Sequence, residues 1–484
     1  SLLGPKGPKR GIMQPLPLSV PFRISGKLQD LQRPLPAVHL LGRKDPQMSA
    51  IYERLDKGFL EEARDLCEQS VSSGILTEAL GLVVLSDVHR AWGDHASARA
   101  LATEAARVFQ AEQAHAEEAA ASLASVRALL AAEESTLDLW QLEHEVAKVQ
   151  EMLLRIPPVA LAEGAAFLLA AEAHLVMGSM GQAAQAAKKA VACSRSSGDA
   201  RGQAAGLRIL ALASLRGQRP ADAAQASKLA SAQARAAGDV LGEACALRLE
   251  AEAHLVQGDG QAARLAEEAA AAFHVQGDAD RQAEALLCAS EAYTHRASRR
   301  QDSAQRSSIE TWAMQAYILA DQVLAMQRRV DARSHLQAEA LLARSWAILS
   351  RPSAVLDGLA EQAREDAKEA EALFTDLSDR THVAASLLAQ AQAVHALRGD
   401  PLLLLRKAHD LFQKVGHVEG VESAAKLLAD VKGVSKVSSG AHQLGVGYAS
   451  LDSLGEDGQW WKDHIHFRFG GLQGRPVANT VRGK

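Results

Sequence analysis

The hexapeptide Ala171-Glu172-Ala173-His174-Leu175-Val176 returns further along the chain as Ala251-Glu252-Ala253-His254-Leu255-Val256, and Ala211-Leu212-Ala213-Ser214-Leu215 stands halfway between them. Each copy is followed by a glycine, an alanine-rich segment and the dipeptide Gly-Asp, at 198–199, 238–239 and 277–278. The unit is therefore about 40 residues long, and internal similarity at such a period is typical of solenoid proteins, whose repeats stack on one another. The stretch 171–290 predicts a helical-repeat fold.

The composition favours closely packed helices. Of the 484 residues 48% are hydrophobic, but only 4% are aromatic, and alanine supplies much of the remainder. Alanine is the best helix former, and its small side chain lets helices approach closely. The chain is long enough for about three domains, but a solenoid grows one repeat at a time.

The 40-residue unit resembles the tetratricopeptide repeat in its longer variant. That family wants small residues in the middle of the first helix and early and late in the second. The matching positions are Ala171, Ala183, Ala190, Ala211, Ala223, Ala230, Ala251, Ala263 and Ala270. Two departures stand out, because His174, Ser214 and His254 replace the family's aromatic residue, and Gly-Asp replaces its terminal proline. Gly178 and Gly258 match the small residue that closes the first helix, whereas Gly217 lies one position early.

This resemblance is strong over 160–297 and looser over 46–155 and 354–432. It implies an all-α, right-handed superhelical solenoid of helical hairpins. It also implies a protein-interaction scaffold, although a fold of this kind does not specify the partner.

Short breaks divide the chain into helices. We predict helices at 46–57, 59–72, 76–92, 95–111, 113–133, 137–155, 159–177, 180–196, 201–216, 220–236, 240–257, 260–275, 279–297, 307–328, 332–350, 354–376, 380–397, 401–415 and 418–432. In each Gly-Asp pair the glycine is expected to take the left-handed position after a helix, and the aspartate to accept amide hydrogen bonds at the next helix start. Asp45-Pro46 and Asp400-Pro401 are further helix starts. Phe109, Phe273, Phe374 and Phe412 recur near repeat ends and are expected to cap the apolar seam between repeats.

Five segments follow from this pattern. They are an extended basic, Pro-rich arm at 1–45, N-terminal helical repeats at 46–158, regular repeats at 159–297, C-terminal repeats at 298–432 and a Gly-rich, aromatic tail at 433–484. Residues 298–306 are polar and are predicted to form a loop inserted in a repeat.

The two ends differ in charge from the body. The net charge is −5 overall, +6 in 1–47 and +3 in 431–484, which leaves −14 for the residues between. Basic ends on an acidic body suggest contact with something anionic, although they could equally be solvated tails. The arm holds half of the 14 prolines and cannot be helical for long, yet it is too apolar for a typical disordered tail. We expect it to lie along a surface of the solenoid or of a partner.

The tail ends in aromatic sequence from Trp460 to Phe469. The alternation over 464–469 is strand-like, and such a segment could add to the sheet edge of a partner or pack on the final helix. The residues predicted to bind a partner are Phe22, Arg23, Trp460, Trp461, His464, His466, Phe467, Arg468 and Phe469.

No motif supports catalysis or a cofactor. His174 and His254 are separated by two repeats, which indicates packing rather than shared metal binding. His464 and His466 would lie on one side of an extended chain, but without a third ligand nearby we predict no metal there. The glycine-rich pieces lack the spacing of a phosphate-binding loop. Cys67, Cys193, Cys245 and Cys288 lie far apart in helical sequence and are expected to be buried, reduced thiols.

The leading hypothesis is a non-catalytic scaffold, an accessory subunit of a large multiprotein complex, which could be organellar and in peripheral contact with a membrane. Alternatives are a peptide or cargo adaptor that binds short motifs in its concave groove, a regulatory subunit of an enzyme, and a subunit that contacts RNA through the basic arm. The sequence contains no run of 18 apolar residues, so it predicts no membrane-spanning helix. The chain starts at Ser1 with an acid-poor segment. That start fits either a precursor cut after import into an organelle or a trimmed end. We expect an intracellular location and favour a mitochondrion or plastid over the cytoplasm.

Overall fold

The computed structural model describes residues 46–431, apart from gaps at 57–58, 132–138, 156–158, 300–305, 328–334 and 352–357 and at six positions between 398 and 430. Within that part of the chain all regular structure is helical. The arm at 1–45 and the tail at 433–484 lie outside it, and so does most of the predicted loop at 298–306. The predicted strand of the tail therefore stays a prediction.

Eighteen helices form in the described residues. They are α1 Pro46–Asp56, α2 Leu60–Ser72, α3 Glu78–Ala91, α4 His95–Ala111, α5 His115–Ala131, α6 Leu139–Leu154, α7 Val159–Val176, α8 Met180–Ser196, α9 Ala200–Arg216, α10 Pro220–Ala236, α11 Val240–Gln257, α12 Gln261–Val275, α13 Ala279–Arg299, α14 Arg306–Gln327, α15 His335–Leu349, α16 Leu359–Asp376, α17 Arg380–Ala396 and α18 Leu402–Val415. The described residues between 420 and 431 are helical as well.

The helices stack as successive pairs. Each packs against the next along the chain, and α3, α5, α7, α9, α11, α13, α15 and α17 each also contact the neighbouring members of this set. We call these eight helices the inner row and the helices between them the outer row. Inner-row helices are enclosed on most sides, to the extent that every residue from Ala338 to Leu349 is buried. This is a tetratricopeptide-like helical-repeat solenoid, as the sequence predicts.

The core extends along the stack as three large adjoining clusters. They span 48–124, 119–253 and 244–427, so that each overlaps the next in sequence. All nine alanines at the predicted small-residue positions are buried. Phe109, Phe273, Phe374 and Phe412 are also buried, which confirms that large side chains near the repeat ends pack into the seam. Stability in such an arrangement comes from contacts between neighbouring repeats.

The Gly-Asp pairs join the repeats as predicted. Gly198 and Gly238 have φ of +71° and +67°, the left-handed backbone that glycine adopts without a steric penalty. The backbone N–H of Gly202 donates to Oδ1 of Asp199 at 3.0 Å, and that of Gly242 donates to Oδ1 of Asp239 at 2.9 Å. The aspartates therefore satisfy amide groups that a helix start leaves without partners.

In the described part of the chain, three turns place a residue other than glycine in the left-handed conformation, namely Gln113, Gln218 and Ser378. Gly217 has φ of −84°, and the left-handed position falls to Gln218, with φ of +59°. The glycine of this repeat lies one position early, so a residue with a side chain must adopt the conformation instead. Ser378 does the same before α17, with φ of +59°.

Most helix boundaries match the prediction within two residues, and the differences have local causes. α16 begins at Leu359 instead of 354, after Gly358, which is left-handed with φ of +69°. At α18 the position before the helix belongs to Pro401 and not to Asp400. Asp400 still contributes, because its Oδ1 accepts the N–H of Leu402 at 3.0 Å.

Candidate functional site

Buried charged side chains lie along the inner row from α3 to α15. Charged residues on these helices that are less than a tenth exposed are Asp87, Arg90, Arg127, Glu172, Arg208, Arg248, Glu252, Glu284, Glu291, Glu339 and Arg344. A buried charge is costly unless it is paired. The inner row is therefore the part of the molecule where electrostatics and packing are most closely coupled.

At the N-terminal end the charges form a cluster around Asp87. The hydroxyl of Tyr52 on α1 donates to Oδ2 of Asp87 at 3.1 Å, and Nη2 of Arg90 donates to its Oδ1 at 3.3 Å. Burial and the neighbouring Asp87 raise the pKa of Tyr52 well above its ordinary value. Burial lowers the pKa of Arg127 on α5, against the opposing effect of Glu172 on α7. The cluster therefore couples charges on successive inner helices.

The central repeats contain two equivalent arginines, Arg208 on α9 and Arg248 on α11, separated by one repeat. Nη1 of Arg248 lies 2.6 Å from Oε1 of Glu252 on its own helix and 3.7 Å from Oε2 of Glu284 on α13. Both arginines are about 2% exposed. Arg248 thus links two neighbouring inner helices by an ion pair shielded from water.

Arg344 on α15 makes a similar link to the outer row. Its Nε and Nη2 donate to the two carboxylate oxygens of Asp366 on α16 at 2.9 and 2.8 Å, and its Nη1 donates to Asp321 on α14 at 2.6 Å. Burial by itself would lower the pKa of Arg344. The hydrogen bonds and charges of Asp366 and Asp321 have the larger effect, so the pKa of Arg344 is raised. A two-point guanidinium–carboxylate contact of this kind fixes direction as well as distance.

A different group lies where α15, the α16–α17 turn and α17 meet. We call His335, Asp379 and His382 the His–Asp–His cluster. Oδ2 of Asp379 lies 3.1 Å from Nε2 of His335 and 2.6 Å from Nδ1 of His382. Oδ1 of Asp379 accepts the N–H groups of Thr381 and His382 at 3.1 Å each, so this aspartate also caps α17.

The surroundings hold the cluster in place. The ring of Phe374 stacks on His382 with centroids 4.8 Å apart and meets His335 edge-on at 5.3 Å. On the other side of the His335 ring, Nδ1 lies 3.2 Å from Oε1 of Glu339. Burial alone would raise the pKa of Asp379, but hydrogen bonds from His335 and His382 hold it well below its usual range. The cluster thus contains an ionised carboxylate between two imidazoles.

The structure does not describe the residues that are predicted to bind a partner. Phe22, Arg23, Trp460, Trp461, His464, His466, Phe467, Arg468 and Phe469 all lie outside the described residues. Their role stays a prediction. Within the described chain the groups with metal-ligand geometry reduce to the His–Asp–His cluster.

The cysteines follow the prediction with one exception. All four are free thiols, and Cys67, Cys245 and Cys288 are buried. Cys193 on α8 is only partly buried, because it lies where the helix surface meets α7, with its Sγ 3.8 Å from Oε2 of Glu163. Burial, and then the charge of Glu163, raise the pKa of Cys193.

The repeat pattern did not single out two recurring features of the inner row, although both can be seen in the sequence. Arg208 and Arg248 occupy the same repeat position, and a glycine stands three residues after the aspartate in both Gly198-Asp199 and Gly238-Asp239. A methyl group on Gly242 would lie 2.1 Å from Oδ2 of Asp239 and 2.8 Å from Nη1 of Arg208. This glycine is therefore needed for close approach of the capping carboxylate and the buried arginine.

Within the described residues, no helix is long and apolar enough to cross a membrane. The sequence matches no protein-family model and no curated protein sequence.

Solved structures resemble the chain in part. Aspartyl phosphate phosphatase F from Bacillus subtilis is 13% identical, with a TM-score of 0.48, over 77% of this chain and 92% of that one. A signal transduction ATPase with a tetratricopeptide-repeat sensor from Pyrococcus horikoshii is 16% identical, with a TM-score of 0.44, over 64% and 48%. A Rap protein complexed with competence and sporulation factor is 10% identical, with a TM-score of 0.44, over 82% and 98%. At such low sequence identities and TM-scores, these similarities indicate neither a partner nor an activity for this chain.

Proposed function

We propose that this chain is a non-catalytic protein-interaction scaffold that serves as an accessory subunit of a larger multiprotein complex. The observation that carries the proposal is the stack of paired helices between Pro46 and Val415, in which each described helix packs against the next. A stack of this kind presents a long surface on which other proteins can be arranged. Its buried charges are engaged in links between helices, such as that of Arg248 with Glu284 and that of Arg344 with Asp366, which supports a structural role for the inner row.

The arm and the tail are the proposed points of attachment. They carry +6 in 1–47 and +3 in 431–484 next to a body of −14, and they contain the apolar and aromatic residues that a solvated tail does not need. Such segments are suited to lie along a neighbouring subunit. The RNA alternative rests on the same positive charge and predicts binding to generic RNA at low salt.

Deletion of 1–44 and, separately, of 459–484 tests the attachment. The full-length and shortened proteins are purified under native conditions, and the co-purifying proteins are identified by mass spectrometry. We expect each deletion to remove or weaken a partner that the full chain retains. If both shortened proteins recover the same partners at the same yield, attachment through the ends is wrong.

The adaptor hypothesis makes the opposite prediction. It places partner binding in the concave groove, so substitutions there should abolish partner recovery while the end deletions leave it intact. Arg208 and Arg248 are not suitable positions, because both are about 2% exposed and Arg248 is held in an ion pair shielded from water. Circular dichroism of the groove variants is the required control for folding.

A further inference from the structure

We propose that the His–Asp–His cluster is a binding site for a divalent metal ion of the zinc class, with Nε2 of His335, Nδ1 of His382 and Oδ2 of Asp379 as ligands. One ligand atom from each of the three residues lies within 4.8 Å of those of the other two. Zinc bonds of about 2.0–2.2 Å place neighbouring ligand atoms roughly 3.3–3.6 Å apart in a tetrahedral site. The contact of 2.6 Å from Asp379 to His382 would lengthen slightly and the two imidazoles would close, which side-chain rotations can supply.

The two carboxylates that face the ring nitrogens of His335 indicate a cation in the cluster. Its Nδ1 faces Oε1 of Glu339 at 3.2 Å and its Nε2 faces Oδ2 of Asp379 at 3.1 Å. A neutral imidazole has one N–H and one lone pair, so it can satisfy one carboxylate only, and its lone pair would repel the other. Either a second proton or a metal ion between Nε2 and Asp379 removes this conflict.

The arrangement around the proposed ligands favours the metal. A metal-bound histidine ordinarily donates its second N–H to a carboxylate, which fixes the ring and the tautomer. Glu339 is placed to accept such a bond from Nδ1 of His335 and thereby to turn the lone pair of Nε2 toward Asp379. Phe374 stacks on His382 and restrains the plane of the second ring.

The ligand set defines the class of ion. Two imidazoles and one carboxylate suit Zn²⁺ and neighbouring divalent transition metals, whereas Mg²⁺ and Ca²⁺ prefer oxygen ligands throughout. The side chain of His335 is 46% exposed, that of Asp379 22% and that of His382 11%. Water can therefore reach the ion from the His335 side and fill the fourth position.

A bound ion would join two repeats. His335 begins α15, and Asp379 and His382 begin α17, so the ligands come from neighbouring inner helices. In a solenoid each repeat is held only by its neighbours. Metal binding would therefore stabilise the C-terminal repeats against local opening. This inference is independent of the scaffold role, because it concerns the folded chain alone.

The test uses the full chain after treatment with a chelator, with Co²⁺ and Zn²⁺ alone as probes. We expect one equivalent of Co²⁺ to give the visible absorption bands of a four- or five-coordinate ion, Zn²⁺ to displace it, and Zn²⁺ to raise the midpoint of thermal unfolding. Asp379→Asn is the key variant, since asparagine caps a helix as well as aspartate does and leaves the fold intact. It should weaken Co²⁺ binding at least roughly 10-fold, and Glu339→Gln should do so by roughly 10- to 100-fold.

Matched controls separate this cluster from the other histidines. His274→Gln changes a histidine whose Nδ1 faces Gln282 at 3.3 Å and should leave metal binding unchanged, whereas His335→Gln and His382→Gln should abolish it. Deletion of 459–484 removes His464 and His466 and should also leave it unchanged. Equal Co²⁺ affinity in the wild type and Asp379→Asn, or loss of binding on deletion of the tail, would overturn the proposal and leave a proton-bridged cluster.

Discussion

Gln218 has a backbone conformation that few residues with a side chain adopt. Its φ of +59° places it in the left-handed region, where the Cβ atom crowds the following carbonyl oxygen at a cost of roughly 1–2 kcal/mol. The neighbouring repeats use glycine at the equivalent place, at Gly178 and Gly258, whose φ angles are +74° and +69°. The cost at Gln218 follows from the position of Gly217, which is one residue too early to relieve it.

Replacement of Gln218 by glycine should therefore stabilise the protein. The strain removed is partly offset by the greater freedom of glycine in the unfolded chain, so we expect a gain of up to about 1 kcal/mol in the free energy of unfolding. Gly178→Ala changes the equivalent position of the preceding repeat; it is the matched control and should lose about 1 kcal/mol or more. Urea denaturation measures both, and a destabilised Gln218→Gly would show that the glutamine side chain contributes more than its backbone costs.

The four cysteines should differ in their reactivity toward a thiol reagent. Burial raises the pKa of Cys67 to about 12, and Cys245 and Cys288 are buried as well. Only the thiolate reacts, so the partly buried Cys193 should be labelled first in the native protein, although slowly because its own pKa is raised. Timed alkylation with peptide mass spectrometry checks this order, and Cys193→Ser should remove the first phase.

At the scale of the helix, small residues and hydroxyl groups decide how closely neighbours approach. Three serines on the inner row each donate from Oγ to a backbone carbonyl of the following helix. Ser86 bonds Ala98 at 2.7 Å, Ser290 bonds Ala316 at 2.8 Å, and Ser345 bonds Ala363 at 2.8 Å. A residue that is both small and a donor fits this position, because it permits close packing and satisfies its own polar atom.

Two glycines near helix starts should respond to alanine in opposite directions. In Gly242→Ala the new methyl group would meet the Asp239 carboxylate at 2.1 Å and Arg208 at 2.8 Å, so the cap and the arginine must move at a cost of about 1–3 kcal/mol. In Gly181→Ala the methyl group meets nothing within 4 Å, and the helix gains up to about 1 kcal/mol. Thermal unfolding of the two variants measures the difference, and equal shifts would contradict the close-approach role of Gly242.

On the scale of the whole molecule, partly buried imidazoles tie stability to pH. Burial lowers the pKa of His395 on α17 and of His174 on α7, the latter against the charge of Glu143. Above their ordinary pKa of 6.5 both states of the protein keep these groups neutral. As the pH falls below 6.5, the unfolded chain binds protons that the folded chain does not.

The free energy of unfolding should therefore decrease as the pH falls through and below 6.5, down to the lowered pKa of the folded state. Urea denaturation at about pH 7.5 and about pH 5.5 measures this loss. His395→Gln removes one of the groups and should reduce the difference between the two conditions. His274→Gln serves as the matched control, and an equal reduction in both variants would contradict a specific contribution from His395.

The order of helices and the repeat architecture were predictable from the sequence because their causes are local. Alanine favours helix, Gly-Asp ends one helix and caps the next, and the spacing of about 40 residues repeats both signals. The buried phenylalanines followed from the same periodicity, whereas the small-residue positions followed from the resemblance to the tetratricopeptide repeat.

The pairing of charges and the His–Asp–His cluster were decided only by the tertiary structure. His335 is separated from Asp379 by 44 positions, and the partners of Arg344 come from two different helices. No local pattern encodes such pairs, because they depend on which helices the stack places side by side and how closely their small residues let them approach. By itself the sequence determined the repeating helical hairpin, whereas the stacking of hairpins decided which charged and imidazole groups meet.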